Sequence, residues 1–273
     1  MNGKISLAGD LGSGKSTVSK ILIERLSATY YSTGAIVRAI AEGRGMTVVE
    51  LNRYMETHPE IDHEIDDGIS RLSDDPRTLI IDSRMAWHFT KGTFKVYLST
   101  DIETSALRIM SSNRTGEHAA TLEETVADTR ARRASEKKRY LEQYGVDITR
   151  LSNYDLIVDT TYATPDEVAE AILSAYALWQ EGALNYSATL SPERPLYPED
   201  AMSAERSAEL SEALDLGQTI PPVRVSERDG VFYIVDGAPS AMAYALNMAT
   251  YIPALLVDDE PLSCDYIVMK NSL

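Results

Sequence analysis

Eight residues near the start of the chain, Gly9-Asp10-Leu11-Gly12-Ser13-Gly14-Lys15-Ser16, restrict what it can fold into more than any other stretch. They satisfy G-x-x-x-x-G-K-[ST], and Thr17 follows. The flanks have the required character: Lys4–Ala8 reads as a short strand, and Gly14–Ser27 places Val18, Ile21, Leu22 and Leu26 at helical spacing. A glycine-rich turn between a strand and a helix points backbone N–H groups inward around phosphate oxygens, and the helix start adds the positive end of its dipole. The pattern therefore predicts a site for a nucleoside triphosphate. Gly9, Gly12, Ser13, Gly14, Lys15, Ser16 and Thr17 cradle the phosphates, Lys15 reaches the β- and γ-phosphates, and the Ser16 hydroxyl ligates Mg²⁺.

The next 160 residues alternate between strand and helix patterns. Thr29–Ser32, Leu79–Ile81, Phe94–Leu98 and Leu156–Val158 read as strands. Helical stretches run from Ala35 to about Arg71, over Asp101–Asn113, over Leu122–Tyr144, and from Pro165, suited to a first helical turn, to Trp179. Such alternation predicts an α/β fold, a parallel sheet covered by helices on both faces.

Charge narrows the partners. The 273 residues hold 26 Lys and Arg against 42 Asp and Glu, a net of -16, which argues against a nucleic-acid or anionic-membrane coat. No stretch approaches a membrane span, the N-terminus carries no signal-peptide core, and a cytoplasmic protein is the expectation. A single cysteine, Cys264, excludes an intramolecular disulfide and a cysteine-based zinc cage. His58 and His63 lie among acidic residues without helical i,i+4 spacing, and read as part of a solvated helix start rather than a metal site. The acidic excess is concentrated after residue 180, where 15 acidic residues face 5 basic ones. Against that trend Arg130, Arg132, Arg133, Lys137, Lys138 and Arg139 fall within ten positions. By themselves they suit either a solvated helix face or a phosphate-binding arm.

Further motifs bear on the acceptor. Arg38 stands one turn into the helix after the second strand, and Asp82 and Arg84 end the third, where parallel sheets hold their ligands. Taken in order, GDLGSGKST, YYSTGAIVRAI, IIDSR, RARRASEKKRY and YGVDITRLSNYDLIVDTT resemble the cytidylate kinase family, in particular its shorter archaeal-type branch, over roughly residues 1–180. That resemblance implies a P-loop nucleoside-monophosphate kinase fold with a five-stranded parallel sheet and a closing lid, and transfer of the ATP γ-phosphate to CMP or dCMP. It further implies that Arg38 and Arg84 hold the acceptor phosphate, that Ser32, Thr33, Gly34 and Asp82 line the acceptor site, and that Arg132 and Arg139 are lid arginines acting with Lys15 on the transferring group. The chain departs from the family pattern at Arg133, where an acidic residue is usual, and at Ser83, where glycine is more frequent. Trp87 and His88 suit contact with an acceptor base or packing. A kinase of another small acceptor, or a catalytically weak nucleotide sensor, fits the same residues.

The expected organisation is a kinase-like domain over 1–181, a linker over 182–195 marked by its prolines, and a second small α/β domain over 196–273. The last reads as helix (Ala204–Leu216), a hairpin turning at Asp229-Gly230, helix (Ser240–Ala249) and strand (Ile252–Val257). This order is similar to the ParB/sulfiredoxin-like fold. The segment Asp236-Gly237-Ala238-Pro239-Ser240 lacks the basic residue of that family's phosphate-binding turn, so a degenerate module for a protein partner, or a plain stabilising cap, is expected.

Overall fold

The strand that leads into the cradle, β1 (Lys4–Gly9), is buried along nearly its whole length. In the computed structural model, which describes residues 3–46, 48–55, 58–111, 121–258, 262 and 265–268, it lies between two parallel neighbours. Helix α1 (Lys15–Leu26) leaves the cradle and returns the chain to β2 (Thr29–Ser32). Three helices follow, α2 (Thr33–Gly43), α3 (Val48–Met55) and α4 (Pro59–Arg71), before β3 (Leu79–Asp82). The chain continues through α5 (Ala86–Phe89), β4 (Thr93–Ser99), α6 (Ile102–Ser111), α7 (Leu122–Tyr144), β5 (Leu156–Asp159) and α8 (Pro165–Gln180). Strands β1 to β5 are all parallel, in the spatial order β5-β4-β1-β3-β2. Parallel neighbours require crossovers, and the helices that supply them cover both faces.

The remaining elements are β6 (Ala188–Leu190), β7 (Leu196–Pro198), α9 (Ala204–Asp215), β8 (Val223–Arg228), β9 (Val231–Asp236), α10 (Ala238–Leu246), β10 (Ile252–Leu256) and β11 (Tyr266–Val268). They extend the same sheet. β6 runs parallel to β5, with Ile157 opposite Ala188, and antiparallel to β10, with Leu190 opposite Ile252. Beyond β10 the order is β8, β9, β7 and β11, giving eleven strands in all among the described residues. The segment 182–195, expected as a linker, therefore carries a strand in the middle of the sheet. Three residues are too few to display a hydrophobic period, and the prolines that suggest a linker follow β6 rather than interrupt it.

Two helix starts are closed by capping boxes. Thr164 caps α8, with Pro165 at its first turn, and Thr121 caps α7; each forms a reciprocal box with a glutamate three residues on. The β8–β9 turn has positive φ at both Asp229 (52°) and Gly230 (84°), the twist that a two-residue hairpin demands.

On one sheet face Ile5, Leu7, Val158 and Phe94 pack against Val18 and Leu22 of α1 and Ile172 of α8. On the other, Ala8, Tyr97, Tyr154 and Ile157 share one cluster with Tyr197, Val225, Phe232 and Ile252. The acidic C-terminal unit is thus packed into the core of the N-terminal one. Helices α2 to α4 build a third cluster, with Leu51, Ile61 and Ile69 against Leu79 and Ile81.

Candidate active site

The cradle's shape depends on glycine at positions where the backbone leaves no alternative. Gly9 has φ +149°, and a Cβ there would lie 2.5 Å from the Leu98 carbonyl oxygen of β4. At Gly12 (φ +71°) it would lie 2.7 Å from the Ser105 carbonyl oxygen of α6. Gly14 (φ +81°) precedes α1 with no side-chain cap, and nothing stands within 4 Å of its Cβ position. A helix start left without a side-chain cap is suited to an anion.

Lys15 is folded back into this turn. Its Nζ donates to the carbonyls of Gly9 and Asp10, both at 3.0 Å, and to the buried Ser13 hydroxyl at 3.4 Å. All three acceptors are neutral. Burial, reinforced by the nearby Arg84 charge, lowers the ammonium from its ordinary 10.5 to about 7. An enclosed cation held only by neutral acceptors fits a polyphosphate. The exposed Ser16 and Thr17 at the first turn of α1 supply hydroxyl oxygens of the kind Mg²⁺ accepts.

Phosphate would raise the Lys15 pKa again, so MgATP binding is expected to take up protons at pH 8, and far fewer at pH 6, where the lysine is already charged. Calorimetry in buffers of different ionisation enthalpy measures this. Uptake that does not vary with pH, or that persists in Lys15→Ala, would contradict the assignment.

Beside the cradle, Arg84 donates from one terminal nitrogen to the Gly9 carbonyl at 2.7 Å and from Nε to Glu136 of α7 at 3.0 Å. Arg132 reaches the other oxygen of the same carboxylate at 3.4 Å, and Arg139 acts on it electrostatically while lying 5.0 Å over the Tyr140 ring. Burial works to raise the Glu136 carboxyl, but Arg84 and Arg132 outweigh it and hold it below the usual carboxylate range. Three arginines singled out in the sequence thus converge on one glutamate that was not.

The other predicted acceptor residues cluster at the ends of β2 and β3. Asp82 accepts from the Tyr30 hydroxyl at 2.9 Å, and Arg38 lies near enough to Tyr30 to act on its ionisation. Ser32 caps α2 by accepting from Ala35 N at 3.3 Å, and Thr33 and Gly34 form the first turn above it. Trp87 is packed rather than open: it donates to the Arg84 carbonyl and lies 5.4 Å from the Tyr154 ring. Among the described residues no cluster of His, Cys, Asp and Glu could hold a metal ion; His118 and Cys264 lie outside them.

Asp10 is another residue whose role the sequence does not display. Its carboxylate accepts from the Tyr97 hydroxyl (2.7 Å) and Thr100 N (3.0 Å) and pairs with Arg133 (2.9 Å), tying the cradle to β4 and to α7. On the α1 side, a cavity of about 340 Å³ runs from Gly12–Thr17 past Arg108 to Thr160, Ala163 and Pro165. Arg108, which donates to the Thr160 carbonyl at 2.6 Å, forms a wall there. In the sequence it is one more arginine on a helix. On the opposite side a larger cavity, about 690 Å³, lies beneath α7.

A strand–cradle–helix start in a β5-β4-β1-β3-β2 parallel sheet, with arginines gathered beside the lysine, defines a P-loop kinase-type protein. Residues 4–162 match the model of the cytidylate kinase-like family. The chain belongs to that family. It is 38% identical over 175 residues to a cytidylate kinase of Thermoplasma volcanium, a match covering 63% of this chain and 90% of that one. It is 37% identical over 180 residues to an S-adenosylmethionine-dependent nucleotide dehydratase of Lacinutrix mariniflava, covering 64% of this chain but 36% of that longer protein. A solved shikimate kinase from Acinetobacter baumannii aligns over 67% of this chain and 96% of its own at 18% identity, with a TM-score of 0.44.

Proposed function

We propose that this protein transfers the γ-phosphate of ATP to a nucleoside monophosphate, with CMP or dCMP the first candidates. The convergence of Arg84, Arg132 and Arg139 on one carboxylate immediately beside Lys15 carries this reading. A cation cluster of that kind fits a second anionic group next to the cradle, where water as acceptor would need none. The cytidylate kinases among its relatives support the base assignment.

In this reading the triphosphate lies in Gly9–Thr17, and its base extends into the cavity walled by Arg108 and Pro165. Lys15 leaves the Gly9 and Asp10 carbonyls for the β- and γ-phosphates. The acceptor phosphate is held by Arg84 and Arg38, with Ser32, Thr33, Gly34 and Asp82 around the acceptor. An acceptor phosphate oxygen bonds to the γ-phosphorus as its bond to the bridging oxygen breaks, and ADP leaves with that electron pair. The attacking oxygen is already anionic, so no general base is needed; the residues align two polyanions and neutralise charge. Mg²⁺, held through Ser16, would supply further neutralisation of the triphosphate. Arg132 and Arg139, on α7, close over the transferring group and exclude water.

No described helix is long and apolar enough to cross a membrane, and the acidic balance fits a small-molecule substrate rather than nucleic acid. The C-terminal unit, similar in its element order to a degenerate ParB/sulfiredoxin-like domain, is assigned a regulatory or supporting part.

The test is coupled ADP release with ATP, Mg²⁺ and a panel of CMP, dCMP, UMP, AMP, GMP and dTMP. Turnover dependent on CMP or dCMP is the expected outcome. ATP binding without acceptor-dependent turnover across the panel would overturn the reading and favour a nucleotide sensor or a kinase of another acceptor.

A further inference from the structure

The 340 Å³ cavity on the α1 side has one wall that the C-terminal unit holds from behind. This wall is the segment from Asp159, at the end of β5, to Glu167 in the first turn of α8; Thr160, Ala163 and Pro165 within it line the cavity. Between β5 and α8 the chain belongs to neither strand nor helix, so its course depends on what its polar groups bond to.

On the cavity side the contacts come from the N-terminal unit. Arg108 of α6 donates to the carbonyls of Thr160 at 2.6 Å and Thr161 at 3.3 Å, and to the Thr160 hydroxyl at 3.3 Å. The hydroxyls of Thr160 and Thr100 lie 2.6 Å apart. The buried Asp159 carboxylate accepts from Thr161 N at 3.0 Å and from the Thr161 hydroxyl at 2.6 Å.

The turn between α10 and β10 reaches the same segment at both of its ends. The Tyr251 hydroxyl donates to the Asp159 carbonyl at 2.9 Å, and the Thr250 hydroxyl donates to the Glu167 carboxylate at 3.1 Å. Glu167 is also the residue that closes the α8 capping box with Thr164. The loop after β6 adds Ser191 N, which donates to the Asp159 carboxylate at 3.3 Å, and Arg194, whose Nε stands 3.5 Å from it.

The Tyr251 contact has a particular geometric consequence. The Asp159 carbonyl and Thr160 N–H belong to one planar peptide group. Tyr251 holds its oxygen, and the Ser99 carbonyl of β4 accepts from its N–H at 2.8 Å. The orientation of that peptide is therefore fixed from two sides, by the C-terminal unit and by the parallel sheet. Thr160, directly after it, carries the hydroxyl and carbonyl to which Arg108 bonds. The Tyr251 ring packs against the core beside α1 and α8, so its hydroxyl is delivered by an anchored side chain.

We propose that Tyr251 is a positioning residue for the nucleotide: the α10–β10 turn holds the wall 159–167 at both ends and thereby sets Thr160 and Arg108 against the base of the bound triphosphate. The effect on binding rests on the reading that the base enters this cavity; the hold on the wall does not.

The experiment compares Tyr251→Phe with the parent in the full-length protein. The substitution removes one hydroxyl and keeps the packed ring. Ser207→Ala is the control, since it removes a buried hydroxyl that donates to the Ser203 carbonyl at 2.7 Å within α9, away from the wall. Hydrogen exchange over residues 160–168 is measured first, without nucleotide. Tyr251→Phe is expected to exchange about tenfold faster there, with Ser207→Ala near the parent. Exchange unchanged in Tyr251→Phe, or accelerated equally in Ser207→Ala, would overturn the hold on the wall whatever the cavity binds.

Calorimetry then measures the affinity for MgATP and for magnesium tripolyphosphate, which fills the cradle but has no base. Tyr251→Phe is expected to bind MgATP about fivefold more weakly and tripolyphosphate within about 1.5-fold of the parent. Equal weakening of both ligands would place the effect in the cradle and sink the positioning role at the base. MgATP affinity unchanged in the variant would sink it as well. A parent that binds MgATP no more tightly than tripolyphosphate would instead count against the base's entry into this cavity, and so against that reading, with the exchange result still standing.

Discussion

Lys15→Ala is expected to lower kcat/KM for phosphoryl transfer by about a thousandfold, with the unfolding midpoint nearly unchanged. The magnitude is that of removing a preorganised charge aimed at developing negative charge in an enclosed site. The stability expectation follows from its partners. Lys15 is held by two carbonyls and a hydroxyl and by no carboxylate, so its removal breaks no ion pair. Burial acts against the ammonium strongly enough to bring it to about 7, so losing it also removes a desolvation cost. Steady-state kinetics with the best acceptor, alongside thermal unfolding, checks both parts. A variant with turnover within tenfold of the parent would displace Lys15 from the reaction.

The second large effect is on stability. Gly9→Ala is expected to cost about 3 kcal/mol or more, read as a fall in the denaturant midpoint at constant slope. At φ +149° an L side chain is strained, and the added Cβ would stand 2.5 Å from the Leu98 carbonyl oxygen and 2.8 Å from its backbone nitrogen. Neither is the far end of a flexible chain, so β1 and β4 would have to separate. The Gly9 carbonyl also accepts from Lys15 and Arg84, so the same displacement would misplace both cations. Gly14→Ala is the informative contrast: its φ of +81° is strained, but no atom lies within 4 Å of the Cβ position, and the loss should be smaller. Equal losses at the two positions would show that close approach to β4 does not matter.

The cradle was legible because its information is local. Spacing, a preceding strand and a following helix all lie within some twenty residues, and each of Gly9, Gly12 and Gly14 has the positive φ that the motif requires. The hairpin at Asp229-Gly230 and the start of α8 at Pro165 were legible for the same reason. Arg84 and Asp82 emerged from their position at the end of a strand, supported by resemblance. Glu136, Asp10 and Arg108 did not. Asp10 is one of the variable positions inside the motif, and its role depends on Thr100, 90 positions away. Arg108 matters only because α6 passes beside Thr160. Nothing in the spacing of residues on a helix announces what the helix will face.

What the sequence determined by itself was the phosphate-cradle motif and the parallel, helix-covered sheet around it, because glycine conformations and strand–helix alternation are set by neighbouring residues. What only the tertiary structure decided was where the C-terminal residues go. The outer edge of β5 presents unpaired N–H and C=O groups along a buried strand, and those groups must find partners. β6 supplies them from a segment of three residues, too short to carry a period, and β10 and the β8–β9 hairpin then join onto it. That pairing, between groups that are the same in every residue, carries Glu227 into the wall of the cavity beneath α7.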